Sequence, residues 1–531
     1  MVKIISKFTK VDSTRVSLSV IFISLVFLPL LRMFENMDIV SIKSVATFPT
    51  FSIAIKNSLV AAIVATVITI VLAYVLAVSL ERTNINFKGV FATIFILPML
   101  VPSISNGMGL IILFGNNGIL TRLFGLQGSI YGLWGIVFGS ILYAFPVAFL
   151  MLADVIKYED GSPYEAAEVL GLSKFRQFTA ITLPYLRKPL ITVIFSTFTL
   201  IVTDYGVPLM VGGKYTTIPV VMYQEVIGQL DFGKGSVYGS ILLIPAVIAF
   251  VIDLLNRDRG NLAYVVKKRQ PSNNWRRKAF SYIVCVVCSV YMLMPIISFV
   301  LLAFSTDYPS NLTITLRNLT KTFRLHAGDY LLNSIFIAIL VAICGTVIAF
   351  FTAYLSSRMK SKVSKFLHLS SMISAAIPGV VLGLAYVLTF KRMPIYGTIF
   401  ILVMVNLVHF ISSPYLMIYN SLSKINENIE AVAHTLGISR AHVIKDVFLP
   451  LCRNTIFEML SYFFVNCMIT ISAVSFLANT NNKPIALMIN QFEAQMQLEN
   501  AAVVSLMILI VNLIIKGIFY FLKIVKRKTM R

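Results

Sequence analysis

A chain of 531 residues would ordinarily divide into several soluble domains, but 58% of these residues are hydrophobic and only 13% are charged, with a mean hydropathy of +0.86. A water-soluble domain could not hide that much apolar surface, whereas a bilayer solvates it without cost. The net charge of +23 lies in loop clusters and comes with no groove-reading motif, which excludes nucleic acid as the partner.

Lys3, Lys7, Lys10 and Arg15 precede the first apolar run, at 16–32. This basic-then-apolar order has the look of a signal peptide. No small-residue cleavage site follows residue 31, so an uncleaved first span is expected. Eleven more runs of about the 20 residues needed to cross a ~30 Å core follow. They lie at 55–79, 91–114, 131–155, 190–211, 237–255, 280–304, 333–355, 367–390, 396–420, 455–478 and 501–523. The runs are continuously apolar rather than alternating, which predicts helices and not a barrel. The fold class expected is an all-α polytopic membrane protein with about 12 transmembrane helices.

Charge sets the expected orientation. Arg82 and Lys88 follow the second run, and Lys174, Arg176, Arg187 and Lys188 lie between the fourth and fifth. Arg257, Arg259, Lys267, Lys268, Arg269, Arg276, Arg277 and Lys278 fill 256–278. Arg358, Lys360, Lys362 and Lys365 follow the eighth run, and Lys523, Lys526, Arg527, Lys528 and Arg531 end the chain. All fall on one side if the spans alternate. The positive-inside rule puts that side, with both termini, in the cytoplasm of a bacterial plasma membrane. The basic excess then reads as topology plus attraction to anionic membrane lipid. Cys285, Cys288, Cys344, Cys452 and Cys467 lie in or beside runs of the second half. The CxxC spacing of the first two, inside an apolar helix, reads as packing, so neither a metal site nor a disulfide framework is expected.

The chain also repeats itself. Asn57-Ser58 matches Asn333-Ser334, Arg82 matches Arg358, and Pro102 with Gly107 matches Pro378 with Gly383, all at an offset of 276. Tyr131-Gly132 matches Tyr396-Gly397 at 265, so about 11 residues (276 − 265) are extra in the first half, around Gly115-Asn-Asn-Gly118. Length therefore varies on the outer face and is held on the inner one, as a fixed inner partner would impose. The polar, turn-rich segment 256–278 is the expected boundary between a first half, 1–255, and a second half, 279–531. Equivalent loops face the same side, so the halves run parallel, with a pathway expected between them.

Two loops, 158–185 and 424–451, nearly repeat each other. Glu165-Ala-Ala-Glu-Val-Leu-Gly171 runs to Leu183-Pro184, and Ala431-Val-Ala-His-Thr-Leu-Gly437 runs to Leu449-Pro450, with 13 residues from Gly to Pro in both (184 − 171 and 450 − 437). Ser162-Pro163 is a helix start, with Glu165 and Glu168 where the dipole favours acids. Gly171 and Gly437 fit the left-handed position that ends a helix. Ser173, and Ser439 in the second copy, open a second helix before Leu-Pro turns the chain back to the membrane. Two such copies point to docking sites for a soluble partner.

Glu165, Ala166, Ala167, Gly171, Ile181, Leu183 and Pro184 spell out E-A-A-x3-G-x9-I-x-L-P. This resembles the EAA loop of binding-protein-dependent ABC importer permeases. The second copy departs from the pattern: Ala431 stands where Glu is expected, Glu430 comes one place earlier, and Val447 replaces Ile, while Gly437 and Pro450 are kept. The resemblance implies a MetI-like type I ABC importer fold with two six-helix permease halves in one chain. It also implies a cytoplasmic ABC ATPase homodimer docked on the loops, and an extracytoplasmic solute-binding protein outside. Fused halves look like the iron(III), thiamine and 2-aminoethylphosphonate permease group. Asp204-Tyr-Gly-Val-Pro208, Gly212-Gly213, Val226-Ile-Gly-Gln229 and Leu243-Ile-Pro-Ala246 are most similar to the 2-aminoethylphosphonate branch, and Ser472-Ala-Val-Ser-Phe-Leu477 is shared across the group. The solutes implied are 2-aminoethylphosphonate or another phosphonate, or iron(III), with thiamine or another small solute as the alternative.

For the pathway, Asp204, Tyr205, Pro102, Pro378 and Thr470, the repeat partner of Asp204, are the candidates, because intramembrane acids and repeated prolines are costly unless used. A structural helix-helix hydrogen bond is the competing reading of Asp204. Gly212-Gly213-Lys214-Tyr215 hints at a phosphate loop, but Pro208 stands where its first Gly is required. No ATP site, cofactor or catalytic residue is therefore expected in this chain. A secondary transporter with internal repeats would need intramembrane charge relays, of which the chain has few. A non-transporting scaffold would not need duplicated six-span halves.

Overall fold

The structure is a computed structural model and describes residues 14–256, 269–359 and 361–528. Lys3, Lys7, Lys10, Lys360, Arg531 and residues 257–268 of the boundary segment lie outside the described residues, as do the side chains of Lys526, Arg527 and Lys528.

Among the described residues nine helices are long and apolar enough to span a membrane: Thr14–Glu35, Pro49–Glu81, Ser103–Phe124, Leu133–Lys157, Lys174–Val202, Phe232–Asn256, Trp275–Ala303, Ala327–Arg358 and Leu498–Lys523. Two bent pairs, Lys362–Ala376 with Gly379–Phe390 (111°) and Ile399–Phe410 with Ser412–Ser423 (54°), raise the count to 11. The all-α polytopic fold expected is thus found, with about the expected number of spans, some whole and some broken.

The breaks have identifiable causes. The run expected at 91–114 splits into Lys88–Leu100 and a new helix from Ser103, because Pro102 is extended (φ −56°, ψ 149°) and has no N–H to continue the ladder. Pro378 does the same in the second half (φ −58°, ψ 140°). The run expected at 190–211 ends at Val202, with Gly206–Val211 as a separate helix. The run expected at 455–478 is helical only over Arg453–Ile469.

Side chains at equivalent positions make equivalent bonds. Asn57 Nδ2 donates to Thr216 O (3.0 Å) and Asn333 Nδ2 to Asn481 O (3.2 Å). Ser58 Oγ accepts from the Ile218 N–H (2.8 Å) and Ser334 Oγ from the Ile485 N–H (2.7 Å). Each half therefore ties its second span to a short helix further along by the same pair of contacts. At the proline breaks the two halves exchange partners. Ser103 lies against Gly206 in the first, whereas Gly379 lies against Ser472 in the second, and a Cβ on either glycine would come within 2.4 Å and 2.1 Å of the serine oxygen.

The halves interlock. Leu28–Glu35, in the first span, packs on Gly379–Phe390 of the second half, and Tyr386 donates to Leu25 O (2.9 Å). Trp275–Ala303 packs on Ser103–Phe114, where Gly109 lets Pro295 approach: a Cβ there would meet Pro295 Cα at 2.7 Å. Each leading span thus lies on the other half. The extra segment after Gly115 meets the hairpin Ser305–Asp307/Asn311–Ile314 region, with Tyr308 Oη donating toward Asn117 O (3.0 Å) and Arg122 Nη1 to Pro309 O (3.2 Å).

Candidate functional site

The first loop opens where Asp160 Oδ1 accepts from both the N–H and the hydroxyl of Ser162 (3.0 and 2.9 Å), and the helix Ser162–Val169 follows with Pro163 in its first turn. It ends in a Schellman motif: Leu172 N–H bonds Ala167 O (2.9 Å) and Gly171 N–H bonds Glu168 O (3.0 Å), with Gly171 at φ +68°. The second loop repeats this atom for atom. Ile438 N–H bonds Ala433 O (2.8 Å), Gly437 N–H bonds His434 O (3.1 Å), and Gly437 has φ +71°. The last Ala of each motif, Ala167 and Ala433, is buried and supplies the carbonyl that the cap bonds.

Beyond each glycine the chain does not turn at Leu-Pro. Lys174–Val202 is one continuous helix, and Leu183-Pro184 lies within it. Just before the proline, the ladder widens to a five-residue π segment, Phe178–Thr182, and the second copy does likewise over Ile444–Phe448. Proline cannot donate the next i→i−4 bond, and the wider turn absorbs that loss. Pro184 is therefore a ladder break inside a helix rather than a loop end, whereas in the second copy the helix breaks at Cys452, two residues past Pro450. Ser173 Oγ caps its helix by accepting from Arg176 N–H (3.3 Å), whereas Ser439 Oγ bonds His442 Nδ1 instead (2.7 Å).

The loops are held from below by the repeated arginines. Arg358 closes on Glu430 through Nε (2.7 Å) and Nη2 (2.5 Å), and also donates to Ile425 O and Asn426 O (both 2.7 Å). Glu430 is thus an inward anchor, not an outward acid displaced by one place. Its repeat position in the first half is Tyr164 (430 − 266). There Arg82 pairs instead with Glu159, which is 2% exposed, and Glu159 Oε1 accepts from Tyr164 Oη (2.5 Å). Burial, and then that bond to Glu159, push the Tyr164 hydroxyl above its usual range. With its proton committed to Glu159, Tyr164 accepts from Thr182 Oγ1 (2.6 Å) at the end of the π segment. Glu159, Tyr164 and Thr182 escape sequence reasoning; the matched pair Arg82/Arg358 is the signal that leads to them.

The opposite face of each loop is open and apolar. Val169, Leu170 and Phe175 are 89%, 75% and 75% exposed, and Glu165, Ala166 and Gly171 lie on the same accessible side. In the second loop Ala431, Val432, Leu436 and Ile438 are exposed, and the last three line a groove of about 360 Å³ with Ile429, Val443 and Val447. Ile181 and Val447 are half-buried beneath the two motifs.

The pathway candidates gather at the two breaks. Asp204 lies past the end of its helix rather than within it, and its carboxylate accepts from Ser103 Oγ (2.6 Å), Gly206 N–H (3.3 Å) and Val207 N–H (2.9 Å). It caps the short helix Gly206–Val211 and ties it to the residue after Pro102. Its partner Thr470 is buried and extended beside Ile471-Ser472, which faces the residue after Pro378. Tyr205 bonds Ser475 Oγ across the halves (2.7 Å) and stacks on Tyr223 (4.9 Å), which stacks on Phe476 (6.1 Å). Glu458 pairs with Lys523, and Lys391 lies over the Phe232 ring (5.6 Å).

A duplicated multi-pass helical protein, with interlocked halves and two matched loops outside the apolar spans, has the form of a membrane transport subunit. The chain belongs to the family described as binding-protein-dependent transport system inner membrane component, which matches it twice, over residues 69–257 and 345–530. The two matches start 276 residues apart (345 − 69), the offset of the Arg82/Arg358 pair. Over 429 residues it is 26% identical to the ferric transport system permease protein FbpB of Actinobacillus pleuropneumoniae, covering 77% of this chain and 62% of that one. It is 27% identical over 307 residues to the thiamine transport system permease protein ThiP of Haemophilus influenzae, covering 55% and 54%. The ThiP of Salmonella typhimurium is 21% identical over 438 residues, covering 79% and 78%. The chain thus spans less than two thirds of the length of the first two relatives. It is a multi-pass membrane component of this transport family, with the family's unit present twice in one chain.

Proposed function

We propose that this chain forms the solute pathway of an ATP-driven importer, in which a cytoplasmic ATPase homodimer docks on the two loops and an external binding protein delivers the solute. Both termini and both loops then face the cytoplasm, as the basic clusters require. The observation that carries this reading is the matched pair of Schellman-capped loops, each anchored by an arginine inside and presenting apolar side chains outside. Exposed Val169, Leu170, Phe175 and Leu436 are costly on a solvated loop and suit a cleft that covers them. Glu165, Ala166, Ala167, Gly171, Ile181 and Pro184, with Ala431, Gly437, Val447 and Pro450, form the two handles, and ATP is bound by the partner. Closure of the ATPase would then rotate the halves about the breaks at Pro102 and Pro378, past Asp204, Tyr205 and Thr470.

Among solutes, the relatives named for ferric and thiamine transport support iron(III) first and thiamine next; neither carries the 2-aminoethylphosphonate reading, which rests on the run from Asp204 to Pro208. The test is co-purification with a candidate ABC ATPase subunit from the same organism, followed by uptake in proteoliposomes with a candidate solute-binding protein. Val169→Glu with Leu436→Glu should abolish co-purification while leaving the permease folded. Retained binding by that variant would refute the docking assignment. The ligand carried by the purified binding protein identifies the solute.

A further inference from the structure

The end of the boundary segment is strapped to the first half's anchor. Ser272 N–H donates to Arg82 O (2.9 Å) and Ser272 O accepts from Asn84 N–H (3.1 Å). Asn84 Nδ2 donates to Asn273 Oδ1 (2.9 Å), Asn86 N–H to Tyr282 Oη (2.7 Å), and Ser281 Oγ to Thr83 Oγ1 (3.2 Å). From this strap Arg269 reaches the coupling loop. Its guanidinium carbon lies 3.6 Å from the centroid of the Tyr164 ring, and Nη1 lies 3.9 Å from Glu159 Oε2.

The contrast with the second half gives the contact a role. There the coupling helix carries its own acid, Glu430, and Arg358 grips it with two bonds. In the first half the same position is Tyr164, which has no charge for Arg82 to hold. The acid has moved to Glu159, five residues earlier and before the helix begins. A face of Tyr164 remains, and a planar guanidinium fits it better than an ammonium does. Arg269 adds a close grip on Tyr164, whose hydroxyl bonds Glu159 and whose ring lies farther from Arg82, at 5.8 Å. Because Arg269 precedes Trp275–Ala303, which packs on Ser103–Phe114, the contact joins the coupling helix to the second half's leading span.

We infer that Arg269 is a positioning residue for the first coupling loop: stacked on Tyr164 and facing Glu159, it sets the orientation of Ser162–Val169 through the chain that joins the two halves. This deepens the docking proposal and rests on it for its functional consequence, though not for its structural one.

The test therefore has two readouts. In the permease alone, hydrogen exchange of the amides of 162–172 is compared with that of 429–438 as an internal control. Arg269→Ala should speed exchange in the first loop only, by about three- to ten-fold, the range expected for loss of one partly buried cation–π contact. Tyr164→Leu, which also removes the hydroxyl bonded to Glu159 and Thr182, should speed it more. Arg269→Lys, which keeps charge but not the planar stack, should fall between wild type and Arg269→Ala. In the assembled importer, solute moved per ATP hydrolysed should drop in the same order. Unchanged exchange in 162–172 for Arg269→Ala, or equal change in both loops, overturns the inference. Faster exchange confined to the first loop with no ATPase binding by the wild type would sink the docking proposal and leave the positioning role standing. Should Arg269→Ala not fold, Arg269→Lys and Arg269→Gln, which keeps a planar group without the charge, carry the comparison: faster exchange confined to the first loop in both supports the stack, and unchanged exchange in both refutes it.

Discussion

Replacing Gly171 or Gly437 tests the coupling loops with unusual clarity, because nothing lies within 4 Å of a Cβ built on either glycine. A side chain there meets open space, so the whole penalty is conformational. At φ +68° and +71° an L-residue is held in the left-handed region, which costs about 1–2 kcal/mol and more when the side chain is β-branched. A penalty of about 2 kcal/mol shifts the ratio of capped to uncapped loop about 30-fold. It remains small beside a total stability of roughly 5–15 kcal/mol, so the protein should still fold. The series Gly→Asn, Gly→Ala, Gly→Val at each position should therefore give graded loss of uptake at constant expression, with Asn mildest because it tolerates this region. The two glycines have nearly the same φ and the same pair of cap bonds, so the backbone penalty should be close at both. Any difference between Gly171→Val and Gly437→Val then reports how strongly each loop couples, and the first should lose more. Uptake per ATP at wild-type level in both Val variants, with the protein well inserted, would refute the idea that the capped geometry transmits force.

Three further tests follow from contacts inside the protein. Arg82→Gln leaves Glu159, 2% exposed, without its main cation, and should lower resistance to thermal inactivation in detergent by about 3 kcal/mol; Arg82→Gln with Glu159→Gln should recover much of that loss. Ser58→Ala and Ser334→Ala each orphan a buried backbone N–H, that of Ile218 or Ile485, and should each cost about 1–3 kcal/mol on the same assay, to a similar degree in the two halves. Gly206→Ser should reduce yield by driving a Cβ to 2.4 Å from Ser103 Oγ, and adding Ser103→Gly, which copies the Gly379/Ser472 arrangement, should restore it in part only, since Ile104 N stays at 2.9 Å. A double variant no better expressed than the single one would show that the exchange between halves is incidental.

The spans were readable because a helix crossing lipid must be continuously apolar, and hydropathy records that directly. The same measure hid the breaks. The runs through Pro102 and Pro378 stay apolar on both sides of the proline, and a 111° bend leaves no trace in composition. Gly171 and Gly437 were readable for the opposite reason, since a left-handed C′ position favours one residue type strongly enough to mark it. The anchors beneath them were not. Arg82 and Glu159 are 77 residues apart, and only folding shows that the acid serving the first loop lies outside its motif. Glu430 misled in a particular way: read along the motif it is a displaced copy of Glu165, whereas in space it replaces Tyr164 and points at Arg358.

That substitution makes the two loops unequal in construction rather than in strength alone. The second anchor is assembled within its own half, from Arg358, Glu430, Phe448 and the carbonyls of Ile425 and Asn426. The first draws on Arg82 and Glu159 from its own half and on Arg269 from the segment leading into the other. A rotation of one half against the other would therefore strain the first anchor and leave the second intact. Two separate permease chains could not make such a contact through a connecting segment, whereas a fused chain can. On this argument the fused chain carries a mechanical link that its two halves, expressed apart, would lack, and the loop with the fuller motif is the one that depends on it.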